Sequence, residues 1–151
     1  MTTNILKETI TISNPSTGEK IQEVTPHSQE GLDTFVINAE KAFETWGKMT
    51  LRERCHILYN YRNLLIRDII PLTALIELEN GKTTSEARAE VEKAIEVTEF
   101  ACSLPQLCID KTLEVSKGIN CQISKKPLGV IASITPFNFP TMVPHWTIPI
   151  A

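Results

Sequence analysis

The sequence has no surplus of positive charge: fifteen Lys and Arg stand against eighteen Asp and Glu, a formal charge of −3. So balanced a chain has nothing in bulk to neutralise phosphates, which excludes a nucleic-acid or anionic-membrane binder held by net charge. Aromatic residues make up 6%, yet the hydrophobic fraction of 42% is that of a globular chain, so disorder and collagen-like repeats are excluded too. Cysteine occurs four times, at 55, 102, 108 and 121, with no C-x-x-C pair. The three histidines, 27, 56 and 145, do not join the cysteines at metal-ligand spacing, so no metal site is expected. Met1 to Ile10 lacks the basic and then apolar segments of a secretory leader. Reduced thiols and a cytoplasmic location are therefore expected. Cys55 next to His56 has the residue types of a nucleophile and base, but neighbours on a helix point about 100° apart. Cys55 is read as packing.

What is present is strongly patterned, over a length of 151 residues that suits about one domain. Glu8 to Val24 reads as a hairpin, two alternating runs around the turn residues Asn14-Pro15-Ser16-Thr17-Gly18-Glu19. Three amphipathic helices follow. The first starts after Ser28 as N-cap, carries Leu32, Phe35, Ala39, Ala42, Phe43 and Trp46 at steps of three and four, and ends at Gly47. The second opens on the capping box Thr50–Glu53 and runs through Leu58, Tyr61, Leu65 and Ile69. Pro71 either kinks it or begins a new helix that stops at Asn80-Gly81. The third opens on a second capping box, Thr83–Glu86. It presents Ala87, Val91, Ala94, Ile95, Thr98 and Cys102 on one face, and Pro105 ends it. Thr112–Ser116 and Asn120–Ser124 then read as two strands around Lys117-Gly118, with one face wet.

Lys126 is the last charged residue, and the twenty-five residues from Pro127 to Ala151 carry no formal charge. Five prolines in that stretch deny it the continuous hydrogen bonding of a spanning helix. Two elements are expected instead. Leu128 to Ile134 is apolar on both faces, as the central strands of a parallel sheet are. Thr135-Pro136-Phe137-Asn138-Phe139 is a tight turn, with Pro140 in the first turn of a following helix. Strand, turn and helix in that order form the edge at which open α/β sheets bind ligands. Asn138 is the one polar side chain there that looks buried. It either donates a fixed hydrogen bond into a pocket or caps the turn. One strand cannot close a sheet, so the chain reads as ending within a domain.

Ile134-Thr135-Pro136-Phe137-Asn138-Phe139-Pro140 resembles the P-[WF]-N-[FY]-P signature of the aldehyde dehydrogenase superfamily. The resemblance extends through Asn14–Glu19, Ala42–Trp46, Glu79-Asn80-Gly81-Lys82 and Lys126–Val130. Val97–Ser103 and the block Pro136–Trp146 are most similar to its CoA-acylating branch, the methylmalonate-/malonate-semialdehyde dehydrogenases. The implied fold class is α/β, the incomplete N-terminal part of that fold. It comprises N-terminal hairpin and helices over 1–108, an oligomerisation hairpin arm over 109–126, and over 127–151 the first strand of the Rossmann-like NAD domain.

By the same resemblance Asn138 is the oxyanion-hole donor, and Thr135 (through its backbone) and Phe137 line the NAD site. NAD is the implied cofactor and CoA the acyl acceptor. The implied partners are an aldehyde substrate and further copies of the chain, with no nucleic acid and no membrane. The arginine that the acylating branch carries in its third helix is replaced here by Lys93, within Glu92-Lys93-Ala94, and lysine lacks the bidentate fork. The family's catalytic cysteine, general-base glutamate, ribose-binding lysine and cofactor turn match positions beyond Ala151, so the chain by itself is expected to be inactive. Alternatives are a non-acylating aldehyde dehydrogenase of the same fold, and a non-catalytic remnant or interaction module working through the 112–125 arm.

Overall fold

A computed structural model of the chain describes residues 9–151. Glu8, with which the hairpin was expected to begin, and most of the segment tested for a leader lie outside the described residues. Strands β1 (Ile10–Ser13) and β2 (Lys20–Val24) form the expected antiparallel pair, with a register irregularity at Ile12/Ser13. The connecting turn is held by Asn14, whose Oδ1 accepts from the backbone N–H of Ser16 (2.8 Å) and Thr17 (3.3 Å).

The helices are α1 (Gln29–Trp46), α2 (Leu51–Arg67), α3 (Ile69–Asn80) and α4 (Thr84–Cys102). Ser28 caps α1, and both capping boxes form with reciprocal bonds, Thr50 with Glu53 and Thr83 with Glu86. Each box satisfies backbone donors that a helix start leaves orphaned. Asp68 interrupts the long second helix, so Pro71 lies in the first turn of a separate helix, where its missing N–H costs nothing. α3 ends at Gly81 in the left-handed conformation (φ 75°). α4 stops at Cys102, and Pro105 belongs to a short further helix, α5 (Leu104–Leu107).

The core lies between α2, α3 and α4. Leu65, Ile76, Ala87, Val91 and Ile95 are buried together, with Tyr61, Ile69 and Leu72 packed against them. The stripe of α4 read from its spacing is buried at all six positions. α1 is different: it buries no residue, and Leu32 and Phe35 are about half exposed. Its apolar side is only partly covered among the described residues, by His27 edge-on to Phe35 and by Arg54 over Trp46.

Strands β3 (Lys111–Ser116) and β4 (Ile119–Ile123) pair antiparallel as a second two-stranded sheet. The expectation of one wet face is corrected here: every residue of both strands is exposed. A two-stranded ribbon that extends from the helices has no layer to cover either face. Leu128–Ile134 is corrected as well. No strand forms there, and Leu128 and Ile134 are 95% and 100% exposed. A strand is defined by its ladder, and among the described residues no other strand is placed to pair with this one. The last helix, α6, spans Met142–His145 with Thr141 as cap, so Pro140 precedes the helix rather than sitting in its first turn. None of the described helices is long and apolar enough to cross a membrane.

Candidate active site

The turn Phe137–Thr141 packs over the start of α4. Asn80, the last residue of α3, donates from Nδ2 to the Phe137 carbonyl at 2.8 Å. Lys82 places its ammonium 4.0 Å from the centre of the Phe139 ring. The same ammonium pairs with Glu90 Oε2 at 2.5 Å. Glu90 Oε1 accepts from the backbone N–H of Thr141 at 2.7 Å and of Met142 at 3.1 Å. Further along, His145 Nδ1 lies 2.6 Å from the Thr141 carbonyl and its Nε2 lies 2.6 Å from the Tyr61 hydroxyl. A carbonyl can only accept, so Nδ1 carries the proton, and in the neutral ring Nε2 accepts from Tyr61. Burial pushes the Tyr61 hydroxyl up, which keeps it a donor.

Asn138 stands at the centre of this turn. Its side chain is exposed, not buried as the sequence pattern suggested, and it makes no side-chain hydrogen bond among the described residues. It does not cap the turn; Glu90 and Asn80 hold the turn in its place. Both amide protons are thus available to an incoming oxygen. Thr135 is exposed and lies outside any sheet, and the Phe137 ring is 60% exposed. The three residues named by the signature are therefore all exposed within one four-residue stretch. An open groove of about 470 Å³ is lined by Phe43, Trp46, Arg54, Leu128 and Trp146, and none of the three lines it. The expected pocket edge at Asn138 is not formed, because nothing covers this turn within the described chain.

The residues missed by sequence reasoning are Glu90 and the functions of Asn80 and Lys82. A signal for Glu90 was present: a charged residue three positions after Ala87 and four before Ala94 lies on the apolar stripe of α4. Lys93, by contrast, lies on the exposed side of α4 and pairs with Glu96. Cys55 and Cys102 carry no sign of activation. Burial pushes the Cys55 thiol up, with Arg54 opposing more weakly, and burial likewise raises Cys102. The Cys55 thiol lies 3.7 Å from the Ala101 carbonyl, and His56 faces solvent. This is packing.

Residues 2–151 match the family described as "Aldehyde dehydrogenase family". The chain belongs to the aldehyde dehydrogenase family. The malonate-semialdehyde dehydrogenase 2 of Bacillus mycoides is 43% identical over 146 residues, 96% of this chain and 30% of that protein. The malonate-semialdehyde dehydrogenase of Halalkalibacterium halodurans is 41% identical over 145 residues, 95% of this chain and 30% of that protein. Among solved structures, the methylmalonate-semialdehyde dehydrogenase of Oceanimonas doudoroffii superposes with a TM-score of 0.91 at 33% identity, over 95% of this chain and 30% of that one. A structure from Sinorhizobium meliloti 1021, complexed with NAD, superposes with a TM-score of 0.87 at 31% identity, over 92% of this chain and 28% of that one. The chain thus spans about 30% of the length of these family members, and its fold is the N-terminal part of theirs.

Proposed function

We propose that this chain is the N-terminal portion of an NAD-dependent, CoA-acylating (methyl)malonate-semialdehyde dehydrogenase, and that these 151 residues alone do not turn over aldehyde. The observation that carries the reading is an Asn138 amide left free on a turn that is itself firmly tied. In the proposed reaction a thiolate adds to the aldehyde carbon and negative charge develops on its oxygen. Asn138 Nδ2 donates to that oxygen, a fixed donor of the kind worth about 3–4 kcal/mol in other oxyanion holes.

Thr135 and Phe137 are read as lining the nicotinamide site, a reading supported by their exposure within three residues of Asn138 and by the flat apolar ring of Phe137. When bound, NAD supplies the acceptor for the aldehyde hydride. The nucleophile and general base come from the part of the enzyme that this chain does not span, and CoA takes the acyl group. Residues 127–151 are read as the opening of the NAD-binding core. The β3–β4 ribbon, exposed on both faces, is read as the arm through which copies of the enzyme associate. Four unpaired thiols accord with a cytoplasmic location.

A hydrolytic aldehyde dehydrogenase is the second reading. It is favoured by Lys93, which is exposed, paired with Glu96 and without the arginine fork. A chimera separates the two. Residues 9–151 replace their counterpart in the Bacillus mycoides enzyme, and products from malonate semialdehyde are analysed with and without CoA. The expected product is an acyl-CoA, formed only with CoA present. A free acid formed at the same rate without CoA sinks the acylating assignment.

A further inference from the structure

The residues around Asn138 are tied down in alternation with it. The Phe137 carbonyl is held by Asn80, the Phe139 ring by Lys82, and the Thr141 and Met142 amides by Glu90. Every anchor comes from the end of α3, the turn after it, or α4. Glu90 is the unusual member. Its carboxylate is 1% exposed, on a helix face otherwise made of Ala87, Val91, Ala94 and Ile95. A charge taken out of water loses its hydration and persists only where partners replace it. Here one oxygen takes two backbone N–H groups and the other takes Lys82. An apolar residue would fill the α4 core as well and leave both amides without an acceptor. The carboxylate is therefore explained by what it holds rather than by the core it interrupts.

We propose that Glu90 is the positioning residue for Asn138. It fixes the backbone three and four residues after the asparagine, at Thr141 and Met142, as Asn80 fixes the carbonyl immediately before it, and none of the described residues binds the carboxamide itself. A transition-state donor needs that combination: rigid backbone and unspent hydrogen-bonding capacity. Lys82 serves both parts, neutralising Glu90 and holding the Phe139 ring. The proposal rests on the reading of Asn138 as the oxyanion donor.

The test is amide NMR and hydrogen exchange on the ¹⁵N-labelled full chain, comparing wild type with Glu90→Ala, Glu90→Gln and the exposed control Glu92→Gln. Thr141 and Met142 amide protons are expected downfield in wild type, as donors to a carboxylate. Glu90→Ala removes that displacement, speeds exchange at both amides by about tenfold or more, and disorders 137–142, while Ala94 and Ile95 exchange as before. Glu90→Gln keeps a neutral acceptor, so it retains the order of 137–142 with part of the downfield displacement lost. Unchanged Thr141 and Met142 signals in Glu90→Gln overturn the proposal. So does acceleration by the same factor at Ala94 and Ile95 in Glu90→Ala, since that is general loosening. If Glu90→Ala does not fold, the Glu90→Gln comparison decides alone. Failure of the oxyanion reading shows elsewhere, as undiminished turnover of an Asn138→Ala chimera, and leaves these amide signals untouched.

Discussion

Gly81 closes α3 with φ at +75°, and a Cβ there would meet Pro15 Cγ at 2.8 Å and Ser16 Oγ at 3.3 Å. Gly118, in the β3–β4 turn, has φ at +76° and open space around it. Alanine at either site carries the left-handed cost of about 1–2 kcal/mol, but at Gly81 it must also displace the β1–β2 turn. Gly81→Ala is therefore expected to lower the urea midpoint more than Gly118→Ala; equal shifts would contradict the close approach. The stop at Asn80-Gly81 was legible from the dipeptide, because helix termination is local chemistry. The contact with Pro15 was not, because it joins residues far apart in the chain. Asn138 divides in the same way. Its signature named it as the candidate donor, while its exposure and its anchors depended on which elements packed beneath it.

At the scale of elements, the capping boxes were legible in full because a box is complete within four residues. They also give the helices a pH dependence. Hydrogen bonds from Thr50 hold the Glu53 carboxyl below its usual range, and those from Thr83 do the same for Glu86. A carboxyl lowered in the folded state contributes stability that is fully present above its unfolded value and is lost as pH falls through the folded value. Melting temperature is thus expected to fall as pH drops through the acidic range. The fall should be smaller in Thr50→Ala/Thr83→Ala, whose Tm is already lower at neutral pH because each cap is worth about 1 kcal/mol. Parallel curves for the two proteins would show that the boxes do not set the pH dependence. Leu128–Ile134 shows the opposite case. Its composition marks a central strand, but a strand is completed by partners, and no segment of the described chain supplies them.

For the whole molecule, the balance of buried and exposed apolar surface is unusual. A core is buried between α2, α3 and α4, yet Leu128, Ile134, Val115 and Ile119 are more than half exposed and α1 buries no residue. Apolar surface left open on this scale marks contact with further protein. Sedimentation velocity on the 151-residue chain is expected to show association that grows with concentration and strengthens in sulfate, since kosmotropic salts favour apolar burial. A single monomeric boundary across the whole range would contradict that reading. Turnover of the chimera with and without Asn138→Ala tests the oxyanion role of Asn138 most directly. A fall in kcat of about 10²–10³-fold with an unchanged melting temperature is predicted for loss of an oxyanion donor. A kcat equal to that of the parent chimera would contradict it.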